Sequence, residues 1–281
     1  MTLFQAIIYG VIQGLTEFLP ISSTAHLRIV PAVFGWGDPG AAFTAVIQFG
    51  TLVAVLLYFS KDIIAILHAV LDGILKKSPF HSREAVMGWM IAAGTVPVVV
   101  LGLLFKKDIE TTLRSLYVIA ASMIGLALVL LAAELVEKKR IRDDRHLKIL
   151  GEVSWLDAIL IGCAQAVALI PGSSRSGVTI TGGLFVGLNR ETAARFSFLL
   201  SLPSVFAAGA YELIKQRHEL LSTDIGVVNL VVATLVSGIV GYLSIEFLLG
   251  YLKKHTTYVF IFYRFVVGAA LLLLLSTGFI V

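Results

Sequence analysis

The chain has 281 residues, of which 58% are hydrophobic and 14% charged, with a formal net charge of +4. An ordinary soluble domain carries roughly a quarter charged residues, so this composition excludes a soluble globular protein and points to an integral membrane domain over 1–281. The basic residues form no helix face and no aromatic-interleaved patch, which argues against nucleic acid as a partner. The single cysteine, Cys163, leaves no disulfide framework and no cysteine metal site.

The first lysine or arginine is Arg28, so the N-terminus lacks the basic start of a secretory signal and is read as mature protein. Residues 2–19 form an apolar helical run that Pro20 stops. A shorter run over about Ser22–Phe34 ends in a Gly/Asp/Pro-rich stretch. Neither is a clean span: the first holds Gln13 and Glu17, the second holds His26 and Arg28 and falls short of the ~20 residues needed to cross a bilayer. Two broken, polar helices in sequence predict a re-entrant pair, tolerated in a membrane only where it is buried in protein or lines a wet cavity. Three full spans follow, at about 41–59, 85–105 and 115–136, and then a basic loop over 137–153. Residues 155–170 and 174–188 form a second broken pair, and three further spans follow at about 190–214, 225–249 and 258–280.

The order of a broken pair and three spans therefore occurs twice, over about 1–136 and 154–281. This predicts an all-α polytopic membrane protein of about ten helices and six full spans. Gly10 and Gln13 match Gly162 and Gln165 at a shift of 152, and Pro20, Ser22 and Ser23 match Pro171, Ser173 and Ser174 at a shift of 151. Three spans per half place the halves in opposite orientations, an inverted-topology repeat whose broken helices meet near the midplane and frame a site. With both termini outside, the inner loops 60–84, 137–154 and 250–257 hold 12 lysines and arginines, against 5 in the outer loops 106–114 and 215–224. Basic residues concentrate on the cytoplasmic side, so the site is expected to open to the outer face of the cytoplasmic membrane.

The chemistry concentrates at the two breaks. Pro171 to Thr179 reads P-G-S-S-R-S-G-V-T. Pro171 and Gly172 stop one helix, and Ser173 or Ser174 caps the next. A helix start presents free N–H groups and a positive dipole end to an anion. Arg175 adds a guanidinium able to grip two phosphate oxygens, and Ser174, Ser176 and Thr179 add hydroxyls. The first break reads Q-G-L-T-E-F-L-P-I-S-S-T-A-H from Gln13 to His26. Gln13 and Glu17 share a helix face, as do Ser22, Ser23 and His26. The serines can serve simply as caps, and His26 can be bonded within the bundle. Glu17 and Arg175 are harder to treat as structural, because a charge deep in an apolar segment costs about 2.5–3.5 kcal/mol on insertion scales. A Glu17–Arg175 pair that only pins the two breaks together is the plain alternative. Arg264 and Glu246 are read as lying near the inner ends of spans, where they snorkel or pair.

These two motifs, and the spans around them, resemble the signatures of the undecaprenyl-diphosphate phosphatase family of the BacA type. The resemblance covers the whole chain. It implies hydrolysis of undecaprenyl diphosphate to the monophosphate and inorganic phosphate, which recycles the lipid carrier of cell-wall synthesis and confers bacitracin resistance. It also implies a divalent cation, Mg2+ or Ca2+, with Glu17 as its ligand. Some members carry glutamate where this chain has Gln13, so a pair of carboxylate ligands is not implied here.

On this reading Arg175 and the helix start at Ser173, Ser174 and Ser176 hold the phosphates, with Gln13, Ser22, Thr24 and Thr179 as further contacts. Glu17 binds the cation, orients water or acts as a base, and either Ser23 or His26 is the nucleophile with the other assisting proton transfer. Direct attack by water is a third course. The partners are a polyprenyl diphosphate lipid and the membrane itself, with homo-oligomerisation left open. An anion or lipid transporter using the same midplane cradle is the competing function, since inverted repeats with broken helices are common in transporters.

Overall fold

The computed structural model describes residues 1–215 and 224–280. The loop read over 215–224 lies, for 216–223, outside the described residues. Twelve helices are described: α1 Leu3–Phe18, α2 Ser23–Phe34, α3 Gly40–Tyr58, α4 Ser60–Leu75, α5 Arg83–Leu104, α6 Lys106–Glu110, α7 Leu116–Arg142, α8 Trp155–Val167, α9 Arg175–Phe185, α10 Arg190–Lys215, α11 Asp224–Leu252 and α12 Tyr258–Ser276. No β-strand occurs among the described residues, where one isolated bridge joins Lys148 to Leu188.

Five helices, α5, α7, α10, α11 and α12, are long and apolar enough to cross a membrane. A sixth crossing arises only if α3 and α4 count together as one bent element. The burial pattern fits a bilayer. Leu103, Leu104, Leu235, Ile239, Leu243 and Phe262 face outward, while Gln13, Glu17, Gln165, Ser173, Thr179 and Arg264 are buried. A chain surrounded by lipid turns its polar groups toward one another.

Two expectations about loops are corrected. Residues 60–75, read as part of an inner loop, form α4, which meets α3 at 81°. Its exposed Ile64, Leu67, Leu71 and Ile74 recur at three- and four-residue spacing and make one apolar stripe. The basic stretch after 136 begins as helix, since α7 continues to Arg142. Its charges have structural work. The two Nη atoms of Arg140 donate to the Leu184 and Phe185 carbonyls and end α9. Lys148 Nζ lies 2.9 Å from both carboxylate oxygens of Asp157, the third residue of α8.

Small residues bring the short helices close to their neighbours. On α1, a Cβ at Gly10 would lie 2.6 Å from the Ala233 carbonyl of α11, and one at Gly14 would lie 2.7 Å from Val240 Cβ. On α8, a Cβ at Gly162 would lie 2.3 Å from the Gly94 carbonyl of α5. These glycines are therefore packing residues. Each short helix that leads into a break packs on a long helix, α1 on α11 and α8 on α5. Further contacts join α3 to α11 and α10, and α7 to α12.

A polar knot fixes the starts of α10 and α12 against α7. Arg190 grips Glu134 through Nε and Nη2 at 3.0 and 2.6 Å and approaches Glu137 at 2.7 Å. Thr257, which precedes α12, donates its N–H and hydroxyl to the same Glu134 oxygen at 2.8 and 2.7 Å. Arg195, whose role the sequence leaves open, pairs with Asp62 of α4 at 3.0 Å. Glu246 accepts from the Tyr58 hydroxyl.

Candidate active site

Both breaks end in the same backbone device. Ser22 caps α2 with φ 76 and ψ 101, its Oγ accepting from the Ala25 N–H. Ser174 caps α9 with φ 70 and ψ 110, its Oγ accepting from the Gly177 N–H. A non-glycine residue with positive φ costs on the order of 1–3 kcal/mol and persists only where its surroundings hold it. Ser22 and Ser174 lie 152 positions apart, the spacing that also relates Gly10 to Gly162 and Gln13 to Gln165. The 151-residue shift read from the serine pairs is thus one residue off: in this geometry Ser23 corresponds to Arg175, each the first residue of its helix.

Glu17 is the hub. It is 7% exposed. One oxygen meets Arg175 Nη2 at 2.5 Å, and the other accepts from Gln13 Nε2 at 2.8 Å and from Ser23 Oγ at 2.7 Å. The acid of the first break, the guanidinium of the second and a hydroxyl of α2 are therefore in direct contact across 158 residues of sequence. Phe18 supports this corner from behind, its ring edge-on to Phe198 at 5.1 Å between centroids.

A pocket of about 190 Å³ opens at this contact, lined by Glu17, Ser22, Ser23, Thr24, Ser174 and Arg175. Gln48, Gln165, Ser204 and the apolar Val98, Ala168, Leu169, Val205 and Ala208 complete its wall. Sites for drug-sized ligands run to ~300–1,000 Å³, so this one suits a polar head group and leaves a long chain outside. A larger groove of about 440 Å³ between α3 and α11 is lined almost wholly by apolar groups, Val53, Leu57, Ile239 and Leu243 among them, and contains none of the motif residues.

The remaining motif residues surround the pocket without lining it. Gln13 backs Glu17. Ser176 Oγ donates to the Leu19 carbonyl at 3.1 Å, tying α9 to the first break. Thr179 Oγ1 meets the Arg175 carbonyl at 2.7 Å and Ser197 Oγ at 2.5 Å, so it fixes the first turn of α9. Ser173 Oγ is buried and has no hydrogen-bond partner among the described residues. His26 stands apart from Ser23's hydrogen bonds. Its Nδ1 lies 2.7 Å from the Ser22 carbonyl, which can only accept, so Nδ1 carries a proton. Nε2 lies 2.7 Å from the Tyr263 hydroxyl, and in the neutral ring it accepts from that group. The two rings are stacked, 5.6 Å apart between centroids.

Two residues of α12 are absent from the motifs. Tyr263, the partner of His26, is 237 positions away and gives no local signal. Arg264, in the second turn of α12, is 1% exposed and turns inward rather than snorkelling. Its guanidinium donates to five carbonyls: Nε to Met123 at 3.1 Å, Nη1 to Pro20 and Ser173 at 3.3 and 2.9 Å, Nη2 to Ser122 and Gly172 at 3.2 and 3.1 Å. Three of these belong to the helix breaks. A charge within an apolar segment is itself the signal that marks such a residue.

No group of three or more histidine, cysteine, aspartate or glutamate side chains able to hold a metal ion occurs among the described residues. Among the described residues, Glu17 is the one carboxylate lining the pocket. Beside it, Gln13 Oε1 is a buried oxygen with no hydrogen-bond partner among the described residues. Mg2+ is commonly held by one or two carboxylates together with substrate phosphates. The donor set fits a hard cation held jointly with a phosphorylated ligand and does not form a protein cage.

Comparison with known proteins places the chain among close relatives. The family described as Bacitracin resistance protein BacA matches residues 6–270. The chain is 66% identical over 278 residues to a protein of Chlorobaculum tepidum named undecaprenyl-diphosphatase, covering 99% of each. A protein of the same name from Chlorobium phaeovibrioides is 65% identical, with 99% of each chain covered. A third, from Chloroherpeton thalassium, is 63% identical, covering 99% of this chain and 98% of its own.

Proposed function

This chain belongs to the Bacitracin resistance protein BacA family, and on that premise we propose how its site works. The protein is a multi-pass membrane phosphatase that hydrolyses undecaprenyl diphosphate to undecaprenyl phosphate and inorganic phosphate. Removing the diphosphate form, which bacitracin sequesters, accounts for the resistance in the family's description. The transporter reading is not favoured by these relatives.

One observation carries the mechanism: Ser23 Oγ lies 2.7 Å from Glu17, whose other oxygen is held by Arg175. Glu17 is therefore oriented to take the Ser23 proton, and Arg175 keeps Nη1 for the substrate. The α9 N-terminus and Arg175 bind the terminal phosphate and neutralise its charge. Ser23 Oγ attacks the terminal phosphorus. The bond to the bridging oxygen breaks, and its electron pair leaves with undecaprenyl phosphate. Glu17 passes its proton to the released product, then takes one from the water that attacks the phosphoserine; the Oγ–P bond breaks, inorganic phosphate leaves, and that proton returns from Glu17 to Ser23 Oγ. Both nitrogens of His26 are engaged, with Ser22 and Tyr263, which favours Ser23 over His26 as nucleophile and gives His26 the role of bracing the α2 cap. Ser173, Ser174, Ser176 and Thr179 hold the second break in shape, and Ser22 and Thr24 line the head-group pocket. A divalent cation, held by Glu17 with the substrate phosphates, would neutralise charge in the diphosphate.

We place the two breaks in opposite leaflets of an inverted repeat, with both termini and the pocket mouth on the outer face. The paired caps, the exchange of α1 on α11 for α8 on α5, and the bias of basic loops support that arrangement. The nucleophile is tested with substrate labelled in the terminal phosphate. Quenching in denaturant at neutral pH during turnover should trap acid-stable label on Ser23, and Ser23→Ala should lose phosphate release by about 10²–10⁴-fold. Label on His26, or near-wild-type turnover of Ser23→Ala, would overturn the assignment.

A further inference from the structure

Gln165 has a place in the pocket but no role in the chemistry above. It lies in the last turn of α8, wholly buried, and forms the floor of the pocket that Glu17, Ser23 and Arg175 line. Neither its Oε1 nor its Nε2 has a hydrogen-bond partner among the described residues. Leaving both ends of a carboxamide unpaired in an interior is costly and is rarely tolerated without a function.

Comparison within the chain shows how the amide comes to be unpaired. Gln13 occupies the same position in α1 as Gln165 does in α8. Gln13 Nε2 donates to Glu17, four residues on. Four residues after Gln165 stands Leu169, which also lines the pocket and has nothing to accept with. Substituting leucine for the acid thus releases the second amide from an internal bond. The Nη1 of Arg175, in the same pocket wall, is likewise buried and unpartnered. Two unused N–H donors around one small pocket require a ligand rich in acceptor oxygens.

We propose that Gln165 is a substrate-contacting residue that donates from Nε2 to a non-bridging oxygen of the diphosphate, on the face opposite the α9 N-terminus and together with Arg175 Nη1. This rests on the phosphatase reading above. The contact grips the head group from α8, so that both helices flanking the second break hold the same phosphates. Its Oε1 accepts from a phosphate hydroxyl or from water bound to the phosphates.

The test uses Gln165→Met, which keeps an unbranched side chain of similar length without the amide, and Gln165→Glu, which keeps the shape but reverses the interaction with an anion. The purified full-length proteins are assayed with undecaprenyl diphosphate, and their melting is followed with and without inorganic phosphate. Gln165→Met should melt at or above the wild-type temperature, because it removes an unpaired buried amide. It should also lose roughly ten- to hundredfold in kcat/KM, the worth of a hydrogen bond to a charged group, and lose the stabilisation by phosphate. Gln165→Glu should lose at least as much activity. Activity of Gln165→Met within twofold of wild type, or a fall in melting temperature that tracks the fall in activity, would overturn the proposal and leave the phosphatase reading intact. Absence of phosphate release by the wild-type protein would sink the phosphatase reading itself.

Discussion

Replacing Arg264 with lysine tests whether one side chain holds the two breaks together. The guanidinium contacts five carbonyls at 2.9–3.3 Å, three of them in the breaks. A lysine ammonium has three protons on one nitrogen, so at least two carbonyls lose their donor. At about 1–3 kcal/mol for each buried group left unpaired, the variant loses ~2–6 kcal/mol. At about 2–4 °C per kcal/mol for a chain of this size class, melting in detergent should fall by roughly 4–24 °C. The caps at Ser22 and Ser174 would also lose their mutual alignment, and displacement of reacting groups by 1 Å costs up to ~100-fold in rate. Phosphate release is measured well below the melting point, so that unfolding does not contribute. Arg195→Lys is the control, because its pair with Asp62 is partly exposed and such pairs contribute ~0–1 kcal/mol. If Arg264→Lys matched that control in both melting temperature and turnover, the clamp argument would be wrong.

Further outcomes follow from the same geometry. Tyr263→Phe keeps the ring stacked on His26 but removes the 2.7 Å hydrogen bond, so kcat/KM should fall about two- to tenfold; steady-state kinetics with no change would refute a bracing role. Gly162→Val should abolish folded protein, since even its Cβ would sit 2.3 Å from the Gly94 carbonyl. Gly125→Ala meets nothing within 4 Å and should leave yield and melting unchanged, so equal behaviour of the two on size-exclusion chromatography would contradict the packing account. Chelation should depress phosphate release, and Mg2+ or Ca2+ should restore it, whereas full activity in excess chelator would remove the cation from the mechanism.

The breaks were legible in the sequence because their signals are local. Pro20, Pro171 and Gly172 cannot continue a helix, and serines follow each stop. The cost of lone charges in an apolar segment singles out Glu17 and Arg175, while their direct pairing is there only the alternative reading. The off-by-one register had a physical cause: serine pairs align by identity, but the cap is defined by its backbone, and only one serine of each pair adopts positive φ. Residues 60–75 were hidden as a helix because Lys61 and Asp62 open it and Lys76 and Lys77 follow it, so the segment reads as a charged loop. Arg264 reads as snorkelling because an arginine six residues into a span can turn either to the interface or inward, and the carbonyls that hold it inward come from distant segments. Tyr263 depends wholly on tertiary contact, which no short-range pattern encodes.

The clamp from α12 also bears on biosynthesis. A nascent chain on the ribosome already carries both motifs by residue 179, yet the residue that joins them is made only 85 positions later. Until that final stretch is synthesised and inserted, the two breaks have only their direct contacts, Glu17 with Arg175 and Ser176 with Leu19, and lack the five-carbonyl clamp. Hydrolysis therefore starts late, when the protein is nearly complete, and any product truncated before Arg264 should be inert however intact its motifs.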